Sequence, residues 1–133
     1  MAVGNTATGT LTLEGTVYKT DGTQTYTAAT GGGNIDITGI ATFTSTNTAI
    51  AFNTSGVDLG ANVAITTGTG GAGAVSFQGA VEAASAGTQT LTIDSGTGDV
   101  TFSKKIGETN ALGGLDVNSC LLYTSPSPRD SSQ

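Results

Sequence analysis

The chain has no tryptophan, no histidine, one cysteine and two prolines in 133 residues. Without histidine there is no imidazole base to activate a serine or cysteine nucleophile. A single thiol cannot close an internal disulfide, so no disulfide framework holds this fold. Charge is sparse as well, at 11% of residues, with four bases against ten acids and a net charge of −6. Lys104–Lys105 is the only basic pair. A surface that neutralises phosphates needs clustered Lys and Arg, so nucleic acid is excluded as a partner. No apolar run approaches the length that crosses a bilayer, and membrane insertion is not expected. The first residues, M-A-V-G-N-T-A-T-G-T, lack the basic start and apolar core of a signal peptide. An acidic, Thr/Asn/Gly-rich surface suits an extracellular setting, and the export signal is then expected outside this sequence.

What is abundant is glycine, 21 residues, and threonine, about a fifth of the chain. Thr and Val are β-branched and favour extended backbone, while Gly supplies corners between short strands. No window shows helical periodicity, so the composition reads as all-β.

The chain also resembles itself. Residues 22–37, G-T-Q-T-Y-T-A-A-T-G-G-G-N-I-D-I, align without a gap on residues 87–102, G-T-Q-T-L-T-I-D-S-G-T-G-D-V-T-F. Seven of the sixteen positions are identical at this shift of 65. Leu11-Thr-Leu13-Glu-Gly15-Thr-Val17 likewise matches Val75-Ser-Phe77-Gln-Gly79-Ala-Val81 at a shift of 64. Shorter echoes carry Val75 onto Val100 and Leu91 onto Leu115. The fundamental step is therefore about 24–25 residues, within the range of periods that mark stacked repeats. The shift of 65 is a compound spacing.

Apolar residues alternate in pairs: Leu11/Leu13, Ile35/Ile37, Ile50/Phe52, Val57/Leu59, Val63/Ile65, Val75/Phe77, Leu91/Ile93, Val100/Phe102 and Leu115/Val117. Period two puts each pair on one face of a short strand. Glycine-rich corners are expected at residues 31–33, 68–73 and 96–98. Short one-faced strands repeating at this interval predict a β-solenoid of two or three strands per coil and four to five coils. Each coil shelters the apolar side of the next. The alternative is an antiparallel β-sandwich, which also uses short strands and turn signals.

Residues 120–130, C-L-L-Y-T-S-P-S-P-R-D, break the pattern and hold both prolines, the only Cys and the only Arg. This segment resembles the translation of a transposase-type sequencing-library adapter, codon for codon. Cys120 is discounted on that basis. The expected organisation is a ragged N-terminal lead-in over 1–10, a solenoid over 11–119, and a non-native, disordered tail over 120–133.

The segment T-Q-T-L-T-I-D-S-G-T-G-D-V-T-F, with the later N-A-L-G-G-L-D-V-N-S, resembles repeats of filamentous-haemagglutinin-like adhesins and related β-strand-repeat exoproteins of bacteria. The resemblance covers Leu11 to Ser119. It implies a secreted, cell-surface shaft folded as a parallel right-handed β-helix, in which most repeats act as rigid stalk, with adjacent repeats of the same protein as neighbours and host or surface glycans as partners. It transfers no functional residue, cofactor or catalytic role. The second functional reading is a carbohydrate-binding or polysaccharide-cleaving β-helix of the tailspike kind.

Few side chains are candidates for chemistry. Asp94 and Asp99 flank the corner Asp94-Ser-Gly96-Thr-Gly98-Asp99, where carboxylates and turn carbonyls could meet calcium, although their use in the turn itself is the simpler expectation. Asp36, Asp58 and Asp116 sit between apolar neighbours, either as a carboxylate row suited to glycoside cleavage or as ordinary outward positions. Tyr18 and Tyr26 could form a sugar-stacking platform, but complete a core more simply. Lys104–Lys105 reads as a solvated turn. No catalytic residue, cofactor or metal is assigned.

Overall fold

The computed structural model describes residues 2–4, 10–28, 33–68 and 73–123. Among these there is no helix, and every strand ladder is parallel. That removes the antiparallel sandwich. The chain winds as a β-solenoid with three strands per coil.

β1 (Ala2–Gly4) precedes the first complete coil, which is β2 (Leu11–Leu13), β3 (Val17–Lys19) and β4 (Gln24–Thr27). The second coil is β5 (Asn34–Ile37), β6 (Ala41–Thr44) and β7 (Ile50–Asn53). The third is β8 (Gly56–Leu59), β9 (Val63–Thr66) and β10 (Val75–Phe77). The fourth is β11 (Ala80–Ala83) followed by the long β12 (Thr90–Phe102), and β13 (Gly114–Tyr123) stacks on β12. Corresponding strands form three faces. The first is β2-β5-β8-β11, the second β3-β6-β9 with the start of β12, and the third β1-β4-β7-β10 with the end of β12. β12 serves two faces because it bends without interruption. Its ladder with β13 shifts register between Asp94 and Gly96 and again between Gly96 and Asp99. Gly96 makes the bend possible, with φ of 58°, a conformation that costs a residue with a Cβ. The corner expected at 96–98 thus exists inside a strand.

The short sequence echoes are register partners. Val75 pairs with Val100, Leu91 with Leu115, and Val81 bridges Ile106. The step between partners is not constant: it is as short as Ile35 to Val57 and as long as Ala64 to Thr92. The shift of 65 has a different meaning. It carries β4, on the third face, onto the start of β12, on the second, and β5 onto the end of β12. Counting the two arms of β12 separately, that is eight strand positions, or two and two-thirds coils. Strand units repeat, but their faces do not.

The alternating pairs point inward as their period requires. From Leu13 to Phe102 their side chains are buried, apart from half-buried Leu11 at the first coil. Each stabilises the stack by roughly 1.5–3 kcal/mol on burial. At the last layer Leu115 remains 43% exposed because only one side of it is covered. The aromatic side chains form two ladders. Tyr26, Phe52, Phe77 and Phe102 stack along the third face at centroid spacings of 5.2, 4.8 and 5.1 Å, with ring planes within 14° of parallel. Tyr18 and Phe43 stack at 4.7 Å on the second face. The ladders meet edge to face, Tyr26 on Phe43 at 5.4 Å and Phe43 on Phe52 at 5.4 Å. In-register parallel stacking forces such ladders, because equivalent inward positions sit one strand spacing apart.

A column of hydroxyls holds the corner after the second face. Ser45 donates to the Thr48 carbonyl at 2.5 Å, Thr67 to Gly73 at 2.6 Å and Ser95 to Gly98 at 2.8 Å, all three side chains buried. In the first coil Thr20 donates to the Gly22 carbonyl at 2.6 Å. There Gln24 fills the interior. Its Nε2 lies 2.8 Å from the Thr44 carbonyl and 3.0 Å from that of Tyr18, while Oε1 accepts the Tyr26 hydroxyl at 2.6 Å. A buried amide this well paired ties the first coil to the second.

Strands reach into both terminal segments. Within the lead-in, Ala2–Gly4 is a strand paired with β4. At the other end β13 does not stop at Ser119 but runs to Tyr123, with Leu121, Leu122 and Tyr123 opposite Asp99, Val100 and Thr101. The open edge of β12 offers N–H and C=O groups to any extended segment that follows it. Residues 124–133 of the expected tail lie outside the described residues, as does most of the glycine-rich stretches at 31–33 and 68–73.

Candidate functional site

The first face carries the densest chemistry. Its outward positions align in register as Thr12, Asp36, Asp58 and Glu82, one from each strand. Of the two readings of Asp36, Asp58 and Asp116, ordinary outward strand positions hold for the first two, and register also sets those two side by side. Asp116 is elsewhere: it lies on β13 opposite Thr92, on the second face. Its flanking pattern matches that of Asp36, but alternation alone does not specify the face. Glu82 takes the third place in the row. Sequence reasoning missed it, although it follows Asp58 by one repeat step.

The three carboxylates have different surroundings. Glu82 accepts backbone N–H groups from Asn110 at 2.8 Å, Thr109 at 3.0 Å and Glu108 at 3.2 Å, and so organises the 108–110 loop. Asp58 accepts the Asn34 amide at 3.2 Å, again across a coil junction. Among the described residues Asp36 has no such donor. Burial pushes its pKa above the usual 3.8, the neighbouring Asp58 charge adds to this, and a hydrogen bond to Asp58 favours the protonated form further. Beside the pair lies a cleft of about 300 Å³ lined by Asp36, Asp58, Thr38, Gly60, Ala84 and Asn110. Two carboxyls sharing a hydrogen bond can exchange a proton. They stand opposite each other in register beside the cleft.

The remaining candidates separate. Asp94 accepts the Gly96 N–H at 3.3 Å within the bend of β12, and Asp99 is exposed beyond it. Among the described residues no three His, Cys, Asp or Glu side chains gather as a metal site. Tyr26 is fully buried in the aromatic ladder, where burial first and Tyr18 second raise its pKa, so it offers no platform to a sugar. Tyr18 is half-buried, stacked on Phe43, and its hydroxyl accepts the Gly15 N–H at 2.7 Å. Lys104 and Lys105 are both exposed, and Lys105 pairs with Glu108 at 2.8 Å. Comparison of the chain with protein-family models, with curated proteins and with solved structures finds no match.

Proposed function

We propose that this chain is a structural segment, a rigid stalk without catalysis, of a large bacterial exoprotein or adhesin of the filamentous-haemagglutinin-like kind, displayed outside the cell. The observation that carries the reading is the continuous interior. The aromatic ladder of the third face runs through all four coils, and aliphatic side chains continue beside it. The buried amide of Gln24 is paired within that interior rather than opened to a cavity. Such a stack transmits load along its axis through inter-coil hydrogen bonds and ring contacts, and it lengthens by adding coils at about 4.8 Å each. Its neighbours in that role are further repeats of the same protein, and surface glycans are partners of the whole exoprotein rather than of this segment.

The cleft beside Asp36 and Asp58 favours a second reading, a β-helix that binds or cleaves polysaccharide. Incubation of the purified chain with a panel of immobilised and soluble polysaccharides separates the two. The stalk reading expects neither retention nor new reducing ends. Cleavage abolished by Asp58→Asn, or retention competed by a defined oligosaccharide, would establish the rival.

A further inference from the structure

We propose that Asp36 and Asp58 form a proton-sharing joint that tightens the junction between the second and third coils on acidification. It goes beyond the stalk reading and does not depend on it, because it rests on register and on the neighbours of one pair.

Parallel in-register stacking leaves equivalent outward positions no freedom to avoid each other. Asp36 of β5 is fixed directly opposite Asp58 of β8. Like charges so placed destabilise a sheet. The groups around the pair decide which carboxyl yields. Asn34 donates a hydrogen bond to Asp58. Glu82, next in the row, is held by three backbone N–H groups of the 108–110 loop. On the other side β2 presents uncharged Thr12, and Glu14 lies past the end of β2, level with Thr38. The loop beyond Glu82 turns Asn110 toward the cleft and keeps its Lys105 paired with Glu108. Among the described residues no cation faces Asp36 and no donor relieves it. It is the member of the row that gains most from a proton.

The step balances simply. The Asp36 carboxylate takes a proton from water and donates it as an O–H···O⁻ hydrogen bond to Asp58. Repulsion across the coil junction becomes attraction. The raised pKa of Asp36 agrees with this geometry. The sign follows by linkage. A carboxyl whose pKa is raised on folding binds more protons in the folded chain, so stability is highest below the usual 3.8 and falls as pH rises through the raised value. This is opposite to the usual acid lability of carboxylates.

The test compares urea midpoints of the chain and of Asp36→Asn from about pH 7 down to about pH 4. Asparagine copies the protonated carboxyl, so the variant is expected to be the more stable at neutral pH. Its advantage should shrink to nothing as the pH falls. A difference that stays constant with pH, or a variant that is less stable at pH 7, overturns the proposal. A direct readout on the unmutated chain guards against a variant that fails to fold: the Asp36 side-chain carboxyl carbon, followed by NMR, should titrate above the usual 3.8, and should return toward it in Asp58→Asn. A normal titration for Asp36 refutes the joint.

Discussion

Replacing Phe77 with alanine removes a ring held between two others. Phe77 is 1% exposed and stacks on Phe52 at 4.8 Å and on Phe102 at 5.1 Å, with planes within 5°. Truncation of a buried phenylalanine costs about 3–5 kcal/mol, and the upper part of that range applies where the cavity cannot collapse. Here it cannot readily do so, because the strands above and below are fixed one spacing apart by their own ladders. Stacking itself contributes about 0.5–1.5 kcal/mol per pair. Phe77→Leu, which keeps most of the volume and loses both ring contacts, should therefore lie between, at about 1–3 kcal/mol. With a urea slope of about 2 kcal/mol per M, Phe77→Ala moves the midpoint down by about 2 M. Val17→Ala is the control. That side chain is 68% exposed at the first coil and should shift the midpoint little. Urea unfolding followed by far-ultraviolet circular dichroism reads all three. A cost below about 1 kcal/mol for Phe77→Ala would mean that the ladder does not hold the coils together, and the reasoning would fail with it.

Other perturbations probe different joints. Gln24→Ala leaves the buried Tyr26 hydroxyl without its acceptor and removes one of the two donors to the Thr44 carbonyl, and a loss of about 1–3 kcal/mol is expected by the same urea assay. A Cβ at Gly79 would overlap the Ser55 backbone, so Gly79→Ala should sharply reduce the yield of folded protein, measured by size-exclusion chromatography. The uncovered edges of β2 and β3 end their sheets among the described residues. Amides of Leu11–Lys19 and of 103–119 should exchange with deuterium faster than those of 50–66, and equal protection in a monomer would contradict this.

Much of this architecture is legible before any coordinates, and the reasons are physical. Alternation exposes a strand when both inward residues are bulky, as at Ile50/Phe52 or Leu91/Ile93. It hides β6, whose inward pair is Ala41 and Phe43, and β4, whose inward pair is Gln24 and Tyr26. A polar residue turned inward looks like an outward one until its partners are seen. Tyr26 illustrates this: its hydroxyl leaves a surface platform open beside the simpler core reading until Gln24 is seen to satisfy it in the core. Phase is the other limit. A strand unit of similar composition occurs on every face, so the longer self-similarity links units without assigning faces. That is why Asp116 seemed to belong with Asp36 and Asp58, and why Glu82, with alanine and valine as neighbours, went unnoticed. The shorter step, from Val75 to Val100 or Leu91 to Leu115, was the more informative signal, because a register partner is one full coil away.

The account depends on parallel, in-register coils, and inter-strand amide and α-proton contacts by NMR test this most directly. Cross-peaks linking Val75 with Val100, Ile65 with Ile93 and Leu91 with Leu115 are expected. Cross-peaks that instead join consecutive strands antiparallel, such as Ile50–Asn53 with Gly56–Leu59, would contradict it.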